Sequence, residues 1–230
     1  MAHQVGVENI ITRAKALGLE PNFPRELSIC LGAVEVTPLN MAQAYCAFAN
    51  QGLGVRPRII TSIEDSEGRE LYRQEPEHWQ AITPQNAYIM DTLLKNVVNA
   101  GTGTRAKIAG RNIAGKTGTT NNERDTWFMG FSPYLTTAVY VGYDQQRSLG
   151  RGEQGGRTAA PIFRDYRMQV EELYPPADFV KPGGVVMSGA FAYREDMPMQ
   201  GASATGGTVD DGTIDTNAIQ DGEDLMRQIV

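Results

Sequence analysis

Between residues 3 and 17 the apolar positions fall at Val5, Ile10, Ala14 and Leu17, with Val7 and Ile11 alongside. That is helical spacing, and Gly18 followed by Pro21 reads as its stop. Thr37-Pro38 supplies a capping hydroxyl and a proline at the first helical position, and the pattern runs through Met41, Ala44, Tyr45, Phe48 and Ala49 to Asn50-Gln51-Gly52. Val55 to Ile63 reads as a strand, Asp65-Ser66-Glu67-Gly68 as a turn, and Glu70 to Arg73 as the returning arm of a hairpin. Thr83-Pro84 opens a second capped helix whose apolar face is Ala87, Ile89, Met90, Leu93, Leu94, Val97 and Val98.

Past Asn99-Ala100-Gly101 comes a Gly/Thr loop, residues 101–104, then short strand-like pieces at Ile108 to Gly110 and Asn112 to Thr119. Thr126 to Phe131 and Thr136 to Tyr143 are the best strands of the chain. Ser132-Pro133-Tyr134 between them makes them an antiparallel pair. Gly150 to Gly156 reads as a flexible loop. Ala160-Pro161 opens a helix through Ile162, Phe163, Tyr166, Val170 and Leu173, which Pro175-Pro176 ends. After about residue 180 the composition shifts. Gly, Ser, Thr and Asp dominate from Ser188 to Gly212, so residues 181–230 are expected to form a mostly flexible tail, with a short acidic helix at Ile219 to Val230.

Composition narrows the function. The chain has 230 residues, 41% of them hydrophobic, enough for one core. A net charge of -6 carries no basic footprint, so nucleic acid is not an expected partner. His3 and His78 lie far apart with no cysteine or histidine at ligand spacing, so no metal site is expected. Cys30 and Cys46 read as two small buried thiols, with a single disulfide the alternative. No apolar run approaches the roughly 18 to 20 residues that span a bilayer, and Met1-Ala2-His3-Gln4 has no charged-then-apolar leader pattern. Neither signal nor anchor is expected within these residues.

Residues Gly110 to Thr120 carry the chemistry, and they support two readings. Gly110 to Thr117 fits G-x-x-x-x-G-K-[ST], the phosphate loop. That loop needs a buried strand before it and a helix after it, whose N-terminus holds the phosphates. Here Lys107-Ile108-Ala109 is short and polar, and strand pattern follows. The second reading is the Lys-Thr-Gly element of penicillin-interacting enzymes: Lys116, Thr117 and Gly118, with Thr119 next. It belongs on a strand beside a groove. Lysine and threonine there face a substrate carboxylate, and glycine keeps the strand surface clear.

The flanks favour the second reading. Gly115-Lys-Thr-Gly-Thr-Thr-Asn-Asn-Glu-Arg-Asp-Thr-Trp-Phe-Met-Gly-Phe-Ser-Pro resembles the matching stretch of class A penicillin-binding proteins, the bifunctional glycosyltransferase–transpeptidases. So do Ala138-Val-Tyr-Val-Gly-Tyr-Asp, Gly155-Gly-Arg-Thr-Ala-Ala-Pro-Ile-Phe, Leu31-Gly-Ala-Val-Glu-Val-Thr-Pro-Leu-Asn-Met-Ala-Gln-Ala-Tyr and Phe48-Ala-Asn-Gln-Gly. The likeness runs unbroken over roughly residues 5–178. It implies an α+β, β-lactamase/transpeptidase-like fold, an antiparallel sheet flanked by helices, of which residues 1–180 would be the C-terminal part.

It also implies a serine acyltransferase chemistry. A serine of S-x-x-K attacks the penultimate D-Ala carbonyl of a peptidoglycan stem peptide, and an amine of a second stem peptide resolves the acyl-enzyme into a cross-link. Penicillins imitate the D-Ala-D-Ala end. By the same resemblance Lys116 and the hydroxyls of Thr117 and Thr119 would bind the substrate or drug carboxylate, and the Thr119 N–H would be half of an oxyanion hole. The expected partners are stem peptides and β-lactams, met by the complete domain. No cofactor is expected. The parent would sit in the bacterial inner membrane with a periplasmic catalytic part, held there by a segment outside these residues.

The nucleophile itself is not found. Three residues before the five lysines stand Thr12, Thr92, Thr104, Ile113 and Asp178, and no serine is followed by S-x-N spacing. In the family both motifs precede the segment matching Val5 to Leu17. The chain is therefore expected to start after them, to contain no catalytic residue, and to be inactive alone. A sheet edge and an apolar face would be left uncovered, predicting marginal stability or aggregation. A non-catalytic module that binds stem peptides or a partner is the alternative, and the phosphate-loop protein is a remoter one. Arg124 and Asp125 read as an exposed ion pair, Trp127, Phe128 and Phe131 as core, and Glu171-Glu172 as a solvated helix face.

Overall fold

The computed structural model describes residues 2–197. The acidic helix expected at Ile219 to Val230 lies outside them.

Three antiparallel strands form the centre: β5 (Ala114–Thr119), β6 (Asp125–Phe131) and β7 (Thr136–Gly142), in the order β5-β6-β7. Earlier in the chain lie helices α1 (Ala2–Val5), α2 (Val7–Ala16), α3 (Pro38–Ala49) and α4 (Pro84–Asn99), and the short strands β1 (Leu53–Val55), β2 (Ser62–Glu64), β3 (Glu70–Arg73) and β4 (His78–Gln80). Helix α5 (Ala159–Val170) follows the sheet, and a hairpin of β8 (Val185–Ser188) and β9 (Phe191–Arg194) comes after it.

The central strand β6 is packed on both faces because its side chains alternate between α5 on one side and α3 with α4 on the other. Phe128 on β6 meets Phe163 of α5, edge to face at 4.8 Å, in a core with Val98, Ala106, Ile108 and Ile113. Gly130 sits where a side chain would strike the Phe163 ring. The neighbouring β6 position, Phe131, turns the other way and joins Phe48 of α3, Ala87 and Leu94 of α4, Ala114 and Phe179. Helix α4 thus serves both cores, and its start is held by Thr83, whose hydroxyl accepts the Asn86 N–H at 3.3 Å. Thr37 caps α3 the same way, accepting from the Asn40 N–H at 3.2 Å.

Several expectations change. The helix read across residues 3–17 breaks at Gly6, whose φ of +83° suits glycine alone, giving α1 and α2. The strand read from Val55 to Ile63 is two pieces. β1 pairs with β4, and β2 pairs with β3, because Pro57 between them has no N–H to give a ladder. The β2–β3 ribbon is exposed along its whole length. Ile108 to Gly110 is not a strand, Ala109 and Gly110 forming a turn, and the following strand begins only at Ala114.

Packed structure also continues beyond the composition shift near residue 180. Val185 and Ala192 are buried, and the Ala192 N–H donates to Thr92 Oγ1 of α4 at 3.2 Å. Cys30 is exposed and Cys46 half-buried, both as free thiols, so only Cys46 fits the buried reading in part. Glu171 is buried, not solvated: it pairs with Arg167, and Arg111 stands 3.9 Å away. Glu172 is exposed as expected.

Candidate functional site

Lys116, Thr117, Gly118 and Thr119 all lie on β5, an edge strand whose only partner among the described residues is β6. Its first residues, Ala114 and Gly115, are buried, and exposure rises to Thr119. The strand therefore runs out of the core toward solvent. In an antiparallel ladder, successive residues point their N–H groups alternately toward and away from the partner. The Thr120 N–H donates across to Asp125 O at 3.1 Å. By that alternation the Thr119 N–H points to the open edge.

Lys116 is half-buried. Its Nζ donates to Thr117 O at 3.1 Å, and no carboxylate lies within ion-pair distance among the described residues. Desolvation lowers its pKa from the usual lysine range.

Thr117 and Thr119 share one face of β5 by the two-residue alternation. Thr117 Oγ1 lies 2.7 Å from Thr102 Oγ1, on the loop that follows α4. Thr119 Oγ1 accepts the Gly155 N–H at 3.1 Å. The Gly150–Gly156 segment, expected to be a flexible loop, is tied down here. Gly155 is buried, and a β-carbon on it would come within 2.6 Å of Gly118 O. Glu123 holds the loop's other end, accepting the Gly152 N–H at 2.9 Å through Oε1 and the Leu149 N–H at 2.8 Å through its carbonyl. Across the ladder Gly118 faces Trp127, whose ring packs on Tyr140 with centroids 4.8 Å apart. Trp127 is thus half-exposed at the strand's open end, whereas Phe128 and Phe131 are core, as expected.

The structure keeps the four residues of the motif together and adds two partners, Thr102 and Gly155, that sequence reasoning passed over. Their only signal is a pair of glycine-rich stretches, which locally look like any loop. The Arg124–Asp125 ion pair is not formed. Arg124 donates to Gln146 at 3.0 Å, and Asp125 Oδ1 is buried without a partner among the described residues. The phosphate-loop geometry is not formed either: Lys116 and Thr117 are in a strand, and only a short 3₁₀ turn, Asn121–Glu123, follows. No cluster of metal-ligating side chains occurs among the described residues.

Comparison with known proteins matches this arrangement. Residues 4–167 fit the family model described as penicillin binding protein transpeptidase domain. A penicillin-binding protein 1A of Neisseria lactamica is 41% identical over 201 residues, covering 84% of this chain and 25% of the relative. The chain thus spans about a quarter of that relative's length. Its fold matches a crystal structure of penicillin-binding protein 1A from Haemophilus influenzae with a TM-score of 0.74 at 26% identity, over 80% of this chain and 34% of that one. A Mycobacterium tuberculosis protein in complex with penicillin V shares the fold, with a TM-score of 0.68 at 22% identity, over 76% of this chain and 53% of that one. An open strand carrying Lys116, Thr117 and Gly118, a core built on that strand's partners, and a match over residues 4–167 lead to one conclusion: the chain belongs to the penicillin-binding protein transpeptidase domain family.

Proposed function

We propose that β5 is the carboxylate-binding wall of a D,D-transpeptidase site that cross-links peptidoglycan stem peptides and is trapped by β-lactams. The observation that carries this reading is Lys116: a half-buried ammonium with no acidic partner among the described residues, next to two threonine hydroxyls on an open strand. A D-Ala-D-Ala terminus presents a carboxylate to such a wall, and a penicillin presents an equivalent one. The Thr119 N–H, pointing to the open edge, suits one arm of an oxyanion hole. Removing one such donor costs about 2.7 to 4 kcal/mol of transition-state stabilisation in enzymes of this type of chemistry.

The chemistry itself needs a nucleophile, and none of the five lysines has a serine three residues before it. These 230 residues would therefore bind without forming an acyl-enzyme. The intact mass of the purified chain after incubation with a penicillin tests this. We expect no adduct. One covalent equivalent would reveal an unrecognised nucleophile and overturn the division of labour proposed here. The parent would work at the periplasmic face of the inner membrane; no described helix is long and apolar enough to cross a membrane.

The same lack of S-x-x-K favours a second reading, a stem-peptide or partner-binding module without catalysis. Restoring activity by adding the family's preceding segment in trans separates the two. A complemented chain that turns over a stem peptide excludes the purely binding role.

A further inference from the structure

The Thr117 and Thr119 hydroxyls, on one face of β5, are each held from a different side. Thr102 Oγ1 contacts Thr117 Oγ1 at 2.7 Å, and the Gly155 N–H donates to Thr119 Oγ1 at 3.1 Å. Neither partner is loosely placed. The loop bearing Thr102 is tied to the end of α4, with the Gly101 and Gly103 N–H groups donating to Val97 O at 3.1 and 3.0 Å. Its Thr102 carbonyl fits against Gly156 so closely that a β-carbon there would collide with it. Gly155 is packed onto the Gly118 backbone in the same manner. Two glycines next to each other thus fix both supports against the strand.

We propose that Thr102, together with the Gly155 amide, is a positioning group that leaves the Thr117 and Thr119 hydroxyls as hydrogen-bond donors, so that this strand selects a free terminal carboxylate over its amide. The inference rests on the carboxylate-binding reading above and adds a selectivity-determining residue outside the Lys-Thr-Gly element. The reason is directional. An amide N–H can only donate, so Thr119 Oγ1 accepts from Gly155 and its own O–H is left to point elsewhere. For Thr117 the two hydroxyls share one proton between them. A carboxylate takes the Thr117 proton in a charge-assisted bond, the stronger arrangement, and the Thr102 O–H then donates to Thr117. Each bond in such a chain polarises the next. A terminal amide places an NH₂ where one carboxylate oxygen would sit; the hydroxyl there can take that donor on its second lone pair, but its own O–H then loses its acceptor. Lys116 adds nothing for a neutral ligand.

Titration of submicromolar protein with N-acetyl-D-Ala-D-Ala and with its C-terminal amide, followed by saturation transfer to the methyl signals of each peptide, tests this on the chain as it stands. The wild type should prefer the acid by about tenfold or more, the range of a charged hydrogen bond over a neutral one. Thr102→Val removes the hydroxyl at nearly constant shape. It should reduce the preference to about twofold, by weakening acid binding while amide binding stays put. Thr102→Ser should restore it. A merely structural role would weaken both ligands together. Thr102 is exposed; should valine disturb the fold, Thr102→Ala is read in its place. An unchanged acid preference in the valine or alanine variant overturns the inference and leaves carboxylate binding standing. If the wild type binds neither peptide, or binds both equally, the carboxylate-binding reading falls and the inference with it.

Discussion

At the scale of single residues, Asp91 stands apart from the chemistry of the site. It lies on α4, 4% exposed, and its Oδ1 has no hydrogen-bond partner among the described residues. Burial pushes its carboxyl up from 3.8 to about 8, with Lys95 on the next turn pulling weakly the other way. The folded chain therefore holds a proton that the unfolded chain releases near pH 4. Between roughly pH 4 and 8 the unfolded state binds fewer protons, so stability falls as pH rises through that window, by on the order of 1.4 kcal/mol per unit. We expect Asp91→Asn to flatten this slope, which denaturant melts at pH 5 and pH 8 would measure. A variant as pH-sensitive as the wild type would count against a buried, protonated Asp91. Thr117 and Thr119 show the other residue-scale lesson. Their types and spacing are plain in the sequence, but their hydrogen-bond partners, Thr102 and Gly155, stand 15 and 36 positions away.

Among the elements, α5 is fastened to the sheet by one buried cation. Arg167, fully buried, pairs with Glu171 and donates to Ser132 Oγ at 2.7 Å, Leu135 O at 3.1 Å and Thr137 Oγ1 at 3.1 Å. It spans the turn between β6 and β7 and so sets how α5 lies on the sheet. Arg167→Met would strand the Glu171 carboxylate, with Arg111 at 3.9 Å its nearest remaining cation. We expect a loss of about 3–5 kcal/mol, and a smaller loss in the double variant Arg167→Met/Glu171→Leu, since removing both charges leaves nothing unpaired. Urea unfolding of the pair of variants decides it: a double variant at least as unstable as the single one would remove the charge argument. In sequence Glu171 and Glu172 are alike, and both read as a solvated helix face. Only the packing of α5 against the β6–β7 turn distinguishes the buried one from the exposed one.

For the whole molecule, the question is what the described residues leave uncovered. The outer edge of β7, from Thr136 to Gly142, pairs with no strand among them. Leu31 is 92% exposed and Ile59 91% exposed. Open edges and exposed apolar side chains recruit other chains. We expect the 230-residue chain to self-associate at micromolar concentration and to melt broadly, as sedimentation and calorimetry would record. A monomer with one sharp cooperative transition would contradict this.

The capped starts of α3 and α4, the β6–β7 hairpin and the Lys116–Thr119 motif were determined by the sequence alone. Each depends on neighbours a few positions away: a threonine before a proline, an alternating run on either side of Ser132-Pro133-Tyr134, four consecutive residues. Tertiary structure decided the rest. It broke the first helix at Gly6, and it turned a glycine-rich loop into the support for Thr119. It also buried Val185 and Ala192, the latter hydrogen-bonded to Thr92 of α4, in a region that composition alone assigns to a tail. Burial and hydrogen bonding between distant segments are properties of which surfaces meet, and local patterns of polarity carry no record of them.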